Sequence, residues 1–310
     1  MIDIILSKVF IAGFLAQAIP FPDWISPDII SFGNFSIKWY GLSYVVGVMG
    51  AYAWALHLTK QTEIWKPVGV NRGNDPVPTK RMLEDLVYFC LLGIIIGGRL
   101  GSVLLYDTAQ YIENPIRILQ IWKGGMSFHG GFLGVCVALL YMAKSRKISL
   151  WRVSDVVACG APIGIGMVRI FGNFFNQELY GRVTDVPWAM IFRTDPGSYP
   201  RHPSQLYEAG LEGVAIFVIL LIAAKKFKAL TKPGICAGGF ILLYGLFRIF
   251  VELFREPDAA LFGPFTRGMT YSLPMVIIGG AIVLWALKRA PVAPKYLTAD
   301  ADKPVAKEKA

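Results

Sequence analysis

The sequence predicts an all-α polytopic membrane protein with about seven transmembrane helices. Its 310 residues are 55% hydrophobic and only 17% charged, a composition that a soluble domain with a polar surface could hardly tolerate. A helix needs ~20 mostly apolar residues to cross the ~30 Å hydrocarbon core of a bilayer. Seven windows approach that length, over approximately residues 39–59, 82–106, 126–143, 153–175, 207–224, 235–253 and 269–287.

The charges between the windows predict how the helices are oriented. Lys and Arg collect in the first, third and fifth connections and directly after the last window, whereas the other connections mix acidic and basic residues. Basic loops are retained on the cytoplasmic side of a membrane. We therefore expect a bacterial inner-membrane protein with its N-terminal segment outside, its C-terminus inside, and a long outer loop between the fourth and fifth helices.

The two ends of the chain are expected to lie apart from this helical region. Residues 1–19 are predicted to form an interfacial helix or an extra segment, with a signal-like segment as the alternative. Residues 291–310 are rich in Ala, Pro and Lys, which predicts a disordered cytoplasmic tail. Residues 20–290 then form a single transmembrane domain.

Charge and cysteine usage limit the expected partners. The formal net charge is +10, but the basic residues fall in short runs between apolar segments, so the bilayer and not a nucleic acid is the expected partner. The four cysteines lie in apolar stretches without C-x-x-C spacing, which indicates neither a disulfide framework nor a zinc site. No cofactor or metal is expected.

Polar residues inside the predicted helices indicate a functional site, because ionisable groups are costly in hydrocarbon. With the predicted orientation they collect at one depth in the outer half of the membrane, although they come from separate helices. We therefore expect one cavity near the outer interface, where arginine forks would suit the phosphate of a phospholipid headgroup. The residues are Tyr40, Arg99, His129, Arg169, Asn173, Arg248 and Glu252.

Several of these residues also have a purely structural interpretation. Glu252 follows Arg248 at i+4, so the two could form an ion pair within one helix. Arg99 could instead extend its charged group toward the outer headgroups. The glycines that follow His129 could admit another helix or a lipid chain, or could mean nothing more than tight helix packing.

Six motifs, in order along residues 20–290, resemble the successive signatures of the prolipoprotein diacylglyceryl transferase family. They are Trp39-Tyr40-Gly41, GGRLG from Gly97, GGMSFHGG from Gly124, GNFFNQE from Gly172 with Gly181-Arg182, PRHPSQLYE from Pro200, and the segment from Tyr244 to Glu252. The resemblance implies that phosphatidylglycerol donates its diacylglyceryl group to the lipobox cysteine of a preprolipoprotein signal peptide. A thioether forms and glycerol phosphate is released, which is the first step of bacterial lipoprotein maturation.

The resemblance also implies which residues are functional. The expected catalytic residues, Tyr40, His129, Arg248 and Glu252, all match family positions. Arg99, Arg169 and His202 are added to the matching positions as binding residues. The expected phosphatidylglycerol-binding residues are Arg99, Arg169, Asn173, Glu178, Gly181, His202 and Tyr244. Asp155 matches a family position as well, but it lies near the inner end of the fourth predicted helix, where a structural role is expected.

One arginine departs from the family pattern. The family carries its arginine three residues before the first Asn of this segment, whereas Arg169 stands four residues before Asn173 and Ile170 occupies the expected place. On a regular α-helix a shift of one residue turns a side chain by ~100°. Either a π-bulge or loop returns Arg169 to the cavity, or another arginine such as Arg99 replaces it.

The implied reaction makes two chemical demands. A free thiol has a pKa of ~8.5, so a base or a positive field must raise its thiolate fraction, and the departing phosphate must be stabilised. His129 is the candidate base. Arg248, with Arg169 or Arg99, is the candidate phosphate clamp. The alternative, in which arginine alone activates the thiol and His129 only positions groups, stays open.

Two other functional classes compete with the transferase. A phospholipid or anionic-solute transporter would explain the arginines and glycines, but the polar residues lie at one face and no inverted repeat is evident. An intramembrane serine protease would need Ser127 or Ser204 to act with His129, and neither serine lies in a G-x-S-x-G context.

Overall fold

A computed structural model describes residues 18–33, 35–65, 73, 75–257 and 265–295 of the chain. These residues are mostly helical. The α-helices, in chain order, are α1 (Trp39–Lys60), α2 (Thr62–Trp65), α3 (Lys80–Leu105), α4 (Thr108–Glu113), α5 (Phe128–Ser145), α6 (Leu150–Met167), α7 (Ser204–Glu208), α8 (Ile216–Lys225), α9 (Ile235–Val251) and α10 (Arg267–Leu287).

Short strands, 3₁₀ turns and π-helical segments complete the described fold. The strands are β1 (Ile19–Pro20), β2 (Asp28–Phe32), β3 (Phe35–Lys38), β4 (Met190–Ile191) and β5 (Pro200–Arg201). Single 3₁₀ turns cover Pro115–Ile118, Ile121–Lys123 and Ala229–Thr231. Two π-helical segments, Val168–Phe174 and Ala209–Ala215, continue α6 and join α7 to α8.

Five helical stretches among the described residues are long and apolar enough to cross a membrane. They are Trp39–Lys60, Lys80–Leu104, Leu150–Phe174, Ser204–Lys225 and Arg267–Leu287. They correspond to the first, second, fourth, fifth and seventh windows, which confirms a helical polytopic membrane protein. The third and sixth windows are also helical, as the 18 residues of α5 and the 17 of α9. A count of seven membrane crossings stays a prediction.

The described chain divides into two compact units. The first takes the described residues of Met1–Ala51, Ala158–Lys226 and Cys236–Trp285, and the second those of Tyr52–Val157, Phe227–Ile235 and Ala286–Ala310. Residues 1–17 and 296–310, which include most of the predicted interfacial helix and tail, lie outside the described residues. Ile19, the last residue of the predicted N-terminal segment, belongs to strand β1.

A three-stranded sheet in the first unit contains two strands, β4 and β5, from the segment between α6 and α7. Strand β4 pairs in parallel with β1 and antiparallel with β5, and β2 and β3 form a separate antiparallel pair. Phe21, Phe174 and Phe192 pack into one buried cluster with Ile25 and Met190. This core fixes the end of the first π-helical segment, because Phe174 is its last residue.

Glycines allow the helices of the first unit to approach closely. A Cβ atom at Gly47 would lie 2.9 Å from the Cα atom of Gly164, and one at Gly213 would lie 2.9 Å from the Cα atom of Gly166. These separations leave no room for a side chain. The second contact brings the second π-helical segment, which contains Gly213, against the end of α6.

In the second unit, α3 and α5 pack through their glycines. A Cβ atom at Gly130 would overlap the carbonyl oxygen of Gly97, and one at Gly134 would overlap that of Gly93. The structural interpretation of the glycines after His129 therefore holds for Gly130 and Gly134. Gly131 differs, because the nearest atom to its Cβ position is 3.7 Å away.

This packing predicts opposite effects for two neighbouring glycines. Gly134→Ala is expected to lower the free energy of unfolding by roughly 1–3 kcal/mol, because the added methyl group overpacks the contact with α3. Gly131→Ala, the matched control, is expected to be neutral or to stabilise by roughly 0.5–1 kcal/mol, since it only removes backbone freedom from the unfolded chain. Thermal unfolding in detergent compares them, and equal melting temperatures would refute the close packing.

Asp155 has the structural role that the sequence predicts for it. Its carboxylate is buried, and Oδ2 accepts a hydrogen bond of 2.7 Å from the backbone N–H of Gly234, within the second unit. It therefore supports the backbone that begins α9.

Candidate functional site

The first π-helical segment carries the arginine whose spacing departs from the family pattern. A π-turn closes its hydrogen bond over one residue more than an α-turn does. Arg169 and Asn173 both lie in Val168–Phe174, and Arg169 Nη1 donates to Asn173 Oδ1 at 3.3 Å. Of the two alternatives for the shifted arginine, the structure contains the π-helical one.

Glu208 lies at the centre of an ion-pair cluster in the first unit. Its side chain is fully buried, and it contacts three arginines from three different segments. Oε2 lies 2.8 Å from Arg169 Nε, while Oε1 lies 2.7 Å from Arg248 Nη1 and 2.9 Å from Arg255 Nη1. This one carboxylate therefore fixes the relative positions of the three guanidinium groups.

Two further glutamates complete the cluster. Glu212 is also fully buried, with Oε2 3.3 Å from Arg169 Nη2 and Oε1 3.9 Å from Arg248 Nη1. Glu252 Oε1 lies 2.5 Å from Arg248 Nη2 and 3.7 Å from Arg255 Nε. The predicted i,i+4 ion pair between Arg248 and Glu252 is therefore present, and Arg248 contacts a second helix as well.

The cluster balances charge in a buried environment. It contains three arginines and three glutamates, so its formal charges cancel when all six groups are ionised. Two of the arginines are partly exposed, with 17% of the Arg169 side chain and 13% of the Arg248 side chain accessible. Buried charges of this kind depend on their partners, and removing one partner typically costs 3–5 kcal/mol. The guanidinium groups are thus held in fixed positions before any ligand binds.

Three members of the cluster, Glu208, Glu212 and Arg255, are absent from the predicted site. The rule that singles out ionisable residues within predicted helices applies to Glu208 and Glu212, which lie i,i+4 inside the fifth window. Arg255 carries no such signal, because the sequence places it in a connection of mixed charge. Only the fold brings it beside Glu208.

Other predicted residues of the first unit lie beside the first π-helical segment. Asn173 Nδ2 donates to Glu178 Oε1 at 2.9 Å, which extends the network beyond Arg169. The Tyr40 hydroxyl lies 3.2 Å from that of Tyr44, and a Cβ at Gly172 would lie 3.1 Å from the Tyr40 ring.

Tyr244 and Glu252 have close partners of their own in the first unit. The Tyr244 ring centroid lies 5.9 Å from that of Phe240, one turn earlier in α9. Glu252 is 3% exposed, and a Cβ atom at Gly268 would overlap its carboxyl group. The absence of a side chain at Gly268 therefore leaves room for the Glu252 carboxylate.

Gly181 and His202 pair through their backbones in the segment between α6 and α7. The Gly181 N–H donates to the His202 carbonyl at 2.8 Å, and a Cβ at Gly181 would collide with the Phe254 carbonyl. His202 Nδ1 lies 3.1 Å from the Tyr207 hydroxyl. Burial lowers the pKa of His202, which favours the neutral imidazole.

An ion pair holds the same segment folded. Arg201 Nε donates to Asp195 Oδ2 at 2.6 Å, and Arg201 Nη2 donates to Oδ1 at 3.1 Å. Burial acts to raise the pKa of the Asp195 carboxyl, but hydrogen bonds from Arg201 and the Tyr199 backbone hold that pKa below its ordinary value. The segment is therefore anchored by a charged fork at neutral pH.

His129 and Arg99, the two remaining predicted residues, belong to the second unit. His129 is exposed at the start of α5, and its Nδ1 lies 2.7 Å from the Tyr106 hydroxyl. Arg99 is only 5% exposed, and its Nη1 donates to the Tyr111 hydroxyl at 2.7 Å. Its guanidinium group is therefore buried within the unit and does not extend along the surface.

The two serines considered for a protease have structural partners. Ser127 Oγ accepts a hydrogen bond of 3.1 Å from the Gly130 N–H and caps α5. Ser204 Oγ donates to the Leu179 carbonyl at 2.9 Å. Within the described ranges, no group of three or more His, Cys, Asp or Glu side chains is arranged to hold a metal ion.

Comparisons with known proteins agree on one family. The sequence model of a family described as "Prolipoprotein diacylglyceryl transferase" matches residues 27–285. A relative from Brucella anthropi, named "Phosphatidylglycerol--prolipoprotein diacylglyceryl transferase", is 47% identical over 279 residues, which cover 89% of this chain and 95% of the relative. Proteins of the same name from Brucella canis and Brucella ovis are 46% identical over the same coverage.

Proposed function

The chain belongs to the prolipoprotein diacylglyceryl transferase family, and from this membership we infer that it transfers the diacylglyceryl group of phosphatidylglycerol to a prolipoprotein. The observation that supports this inference is the 47% sequence identity to a relative named "Phosphatidylglycerol--prolipoprotein diacylglyceryl transferase", over 95% of the relative's length. The acceptor is proposed to be the thiol of the lipobox cysteine. The named relatives give no support to the transporter alternative.

We propose that the enzyme crosses the bacterial inner membrane seven times. The five long apolar helices support this topology, with α5 and α9 as the two shorter crossings. The alternation of basic and mixed connections favours an outer N-terminal segment, a cytoplasmic C-terminus and an outer cavity. Residues 20–290 would then act as one catalytic domain, followed by a cytoplasmic tail.

The proposed reaction exchanges one bond for another at a glyceryl carbon. The cysteine thiolate attacks the carbon next to the phosphate, a carbon–sulfur bond forms and the carbon–oxygen bond breaks. Glycerol phosphate leaves with the electron pair, and the thiol proton passes to a base or to water. The protein must therefore stabilise negative charge on the departing phosphate.

The arginine–glutamate cluster supports a phosphate-binding role for Arg169 and Arg248. Each guanidinium has five N–H donors, and Arg169 donates from Nη1 to Asn173 and from Nη2 to Glu212, so one hydrogen on each of these nitrogens remains. The glutamates hold the guanidinium groups in place before a ligand binds, which reduces the entropy lost when these groups are ordered around it. Glu178, Tyr40 and Tyr244 would complete the headgroup site, with Gly181 and His202 shaping its entrance.

His129 is proposed as the base that activates the thiol, and the arginine field stays the alternative. For Nε2 to accept a proton, Nδ1 must carry the other hydrogen and donate it to the Tyr106 oxygen, 2.7 Å away. In that tautomer the Tyr106 hydroxyl oxygen would accept the hydrogen bond and hold the imidazole in place. Arg99, buried in the same unit, would contribute positive charge.

Substitution of His129 distinguishes these two roles. If His129 is the base, His129→Gln should lower transfer at neutral pH by about 10²–10⁴-fold, because glutamine cannot accept the thiol proton. Activity of the variant should recover partly as the pH rises, since hydroxide then generates the thiolate. A rate close to that of the wild type with an unshifted pH profile would exclude His129 as the base.

The proposed activity is tested by thioether formation on a lipobox peptide. The purified protein, in nanodiscs that contain phosphatidylglycerol, should convert the cysteine peptide to a product with the mass of an added diacylglyceryl group. The same peptide with serine in place of cysteine is the matched control and should stay unmodified. An unmodified cysteine peptide, or movement of lipid without any covalent product, would reject the transferase assignment.

A further inference from the structure

The second unit contains a cavity of its own beside the segment 107–125. Its volume is about 200 Å³, whereas a water molecule in the liquid takes ~30 Å³. The space therefore suits a small polar group larger than one water molecule. Charged and polar side chains line it, among them Arg99, Asp107, Tyr111, Arg117, Gln120 and Lys123.

Arg99 is one of the residues that line this cavity, and its guanidinium has unused donors. The residue is 5% exposed, and its Nη1 donates to the Tyr111 hydroxyl at 2.7 Å. Its Nε and Nη2 atoms are buried, and neither has a hydrogen-bond partner among the described residues. A buried donor without an acceptor costs roughly 1–3 kcal/mol, and more when it is charged. An acceptor bound beside Arg99, above all an anionic one, would relieve this cost.

The charge around the cavity favours an anion as well. Its lining contains three basic residues, Arg99, Arg117 and Lys123, and one acidic residue, Asp107, so the formal net charge is +2. In the described part of the chain, no ion pair joins Arg117 or Lys123 to an acidic side chain. Asp107 accepts a hydrogen bond of 3.1 Å from the Ser102 hydroxyl, which partly satisfies its carboxylate.

The backbone over the cavity has no side chains where it passes Arg99. Gly124 and Gly125 both have positive φ angles, of 80° and 77°. A Cβ atom at Gly125 would lie 2.5 Å from the Tyr111 hydroxyl and 3.0 Å from Arg99 Nη1. Only glycine accommodates both the conformation and this close approach.

The segment that closes the cavity carries exposed apolar side chains. Ile112 is 74% exposed, Ile116 is 58% exposed and Leu119 is 70% exposed. Apolar side chains beside basic residues are typical of segments that lie in a membrane interface. In that position the cavity would be at the level of the lipid phosphates.

We infer that this cavity binds the phosphate of a glycerophosphate group, with Arg99 as the buried fork and Arg117 and Lys123 at its edge. The ligand has two sources, a phosphatidylglycerol headgroup or free glycerol phosphate. The choice of these two ligands rests on the proposed function, as donor and product of the reaction. The inference that the cavity binds an anion rests on the unpaired donors of Arg99 and on the net positive charge of the lining.

Calorimetric titration in a phosphate-free sugar detergent tests the inference. One arm titrates sn-glycerol 1-phosphate, the glycerol phosphate that the headgroup of phosphatidylglycerol would leave, and the other a short-chain phosphatidylglycerol below its critical micelle concentration. The test variant is Arg117→Gln with Lys123→Gln, which changes only side chains at the edge of the cavity. The matched control is Lys38→Gln, an exposed lysine of the first unit that pairs with Asp28. Arg99→Gln is the second test variant.

The double variant should weaken binding by at least about tenfold in one or both arms, because charged hydrogen bonds are lost, and Lys38→Gln should leave it within about twofold. A loss in the glycerol phosphate arm alone identifies a product site, and a loss that includes the lipid arm identifies a headgroup site. Unchanged binding of both ligands by both test variants would overturn the inference.

A parallel transfer assay keeps this outcome separate from the proposed function. If the protein transfers no lipid but the double variant loses binding, phosphate binding by the cavity is supported and the transferase assignment is rejected. If the protein transfers lipid and both test variants bind both ligands like the wild type, the transferase assignment stands and phosphate binding by the cavity is refuted.

Discussion

Arg248→Lys is expected to lower the kcat/KM for phosphatidylglycerol by about 10²–10³-fold, the loss typical when one donor to a developing anion is removed. The guanidinium reaches Glu208 at 2.7 Å and Glu252 at 2.5 Å through separate nitrogens. An ammonium group is a single point charge and cannot span both carboxylates while facing a phosphate. Steady-state transfer to a lipobox peptide at varied phosphatidylglycerol content gives the ratio.

Arg193→Lys is the matched control for this prediction. Arg193 is also paired with a carboxylate, since its Nη2 lies 2.5 Å from Asp23, but 48% of its side chain is exposed. The same substitution there should change kcat/KM by less than about twofold, because exposed ion pairs contribute little. Unchanged kinetics in Arg248→Lys would rule out bidentate recognition by Arg248.

Glu208→Gln is expected to destabilise the first unit by about 3–5 kcal/mol and to abolish transfer. The substitution keeps the shape of the side chain but removes the negative charge that contacts Arg169, Arg248 and Arg255. Three buried guanidinium groups would then share two carboxylates. The free energy of unfolding in denaturant and the transfer rate measure the two effects.

Glu256→Gln serves as the control for charge removal from a surface pair. Glu256 lies 3.1 Å from Arg201 and its side chain is 52% exposed, so the change should cost less than ~1 kcal/mol. If Glu208→Gln were as stable and as active as Glu256→Gln, the central role of Glu208 in the cluster would be refuted.

The sequence predicts the helices well because their signal is local. Apolar windows near 20 residues long correspond to the five membrane-type stretches, and tight helix packing, one interpretation of the glycines after His129, is found at Gly130 and Gly134. The spacing of Arg169 raises a π-bulge as one of two alternatives, and a π-helical segment is found there. Each of these signals is carried by residues that are close together in the chain.

The composition of the ion-pair cluster is harder to predict because it depends on tertiary contacts. Arg255 is 73 positions from Arg182, whose Nε donates to the Arg255 carbonyl at 2.9 Å, and 47 positions from Glu208. No local pattern indicates either contact. For Arg99 the sequence predicts an ionisable residue in a helix, but its tyrosine partner lies on the segment after that helix. The roles of these residues in transfer stay proposals.

The most direct test of the transferase assignment is the stoichiometry of the two products in a single reaction. Purified protein with phosphatidylglycerol and a cysteine lipobox peptide should release glycerol phosphate and form diacylglyceryl peptide in equal amounts, with no glycerol phosphate released when the peptide is omitted. Glycerol phosphate release without the peptide, or a peptide that stays unmodified, would contradict the assignment.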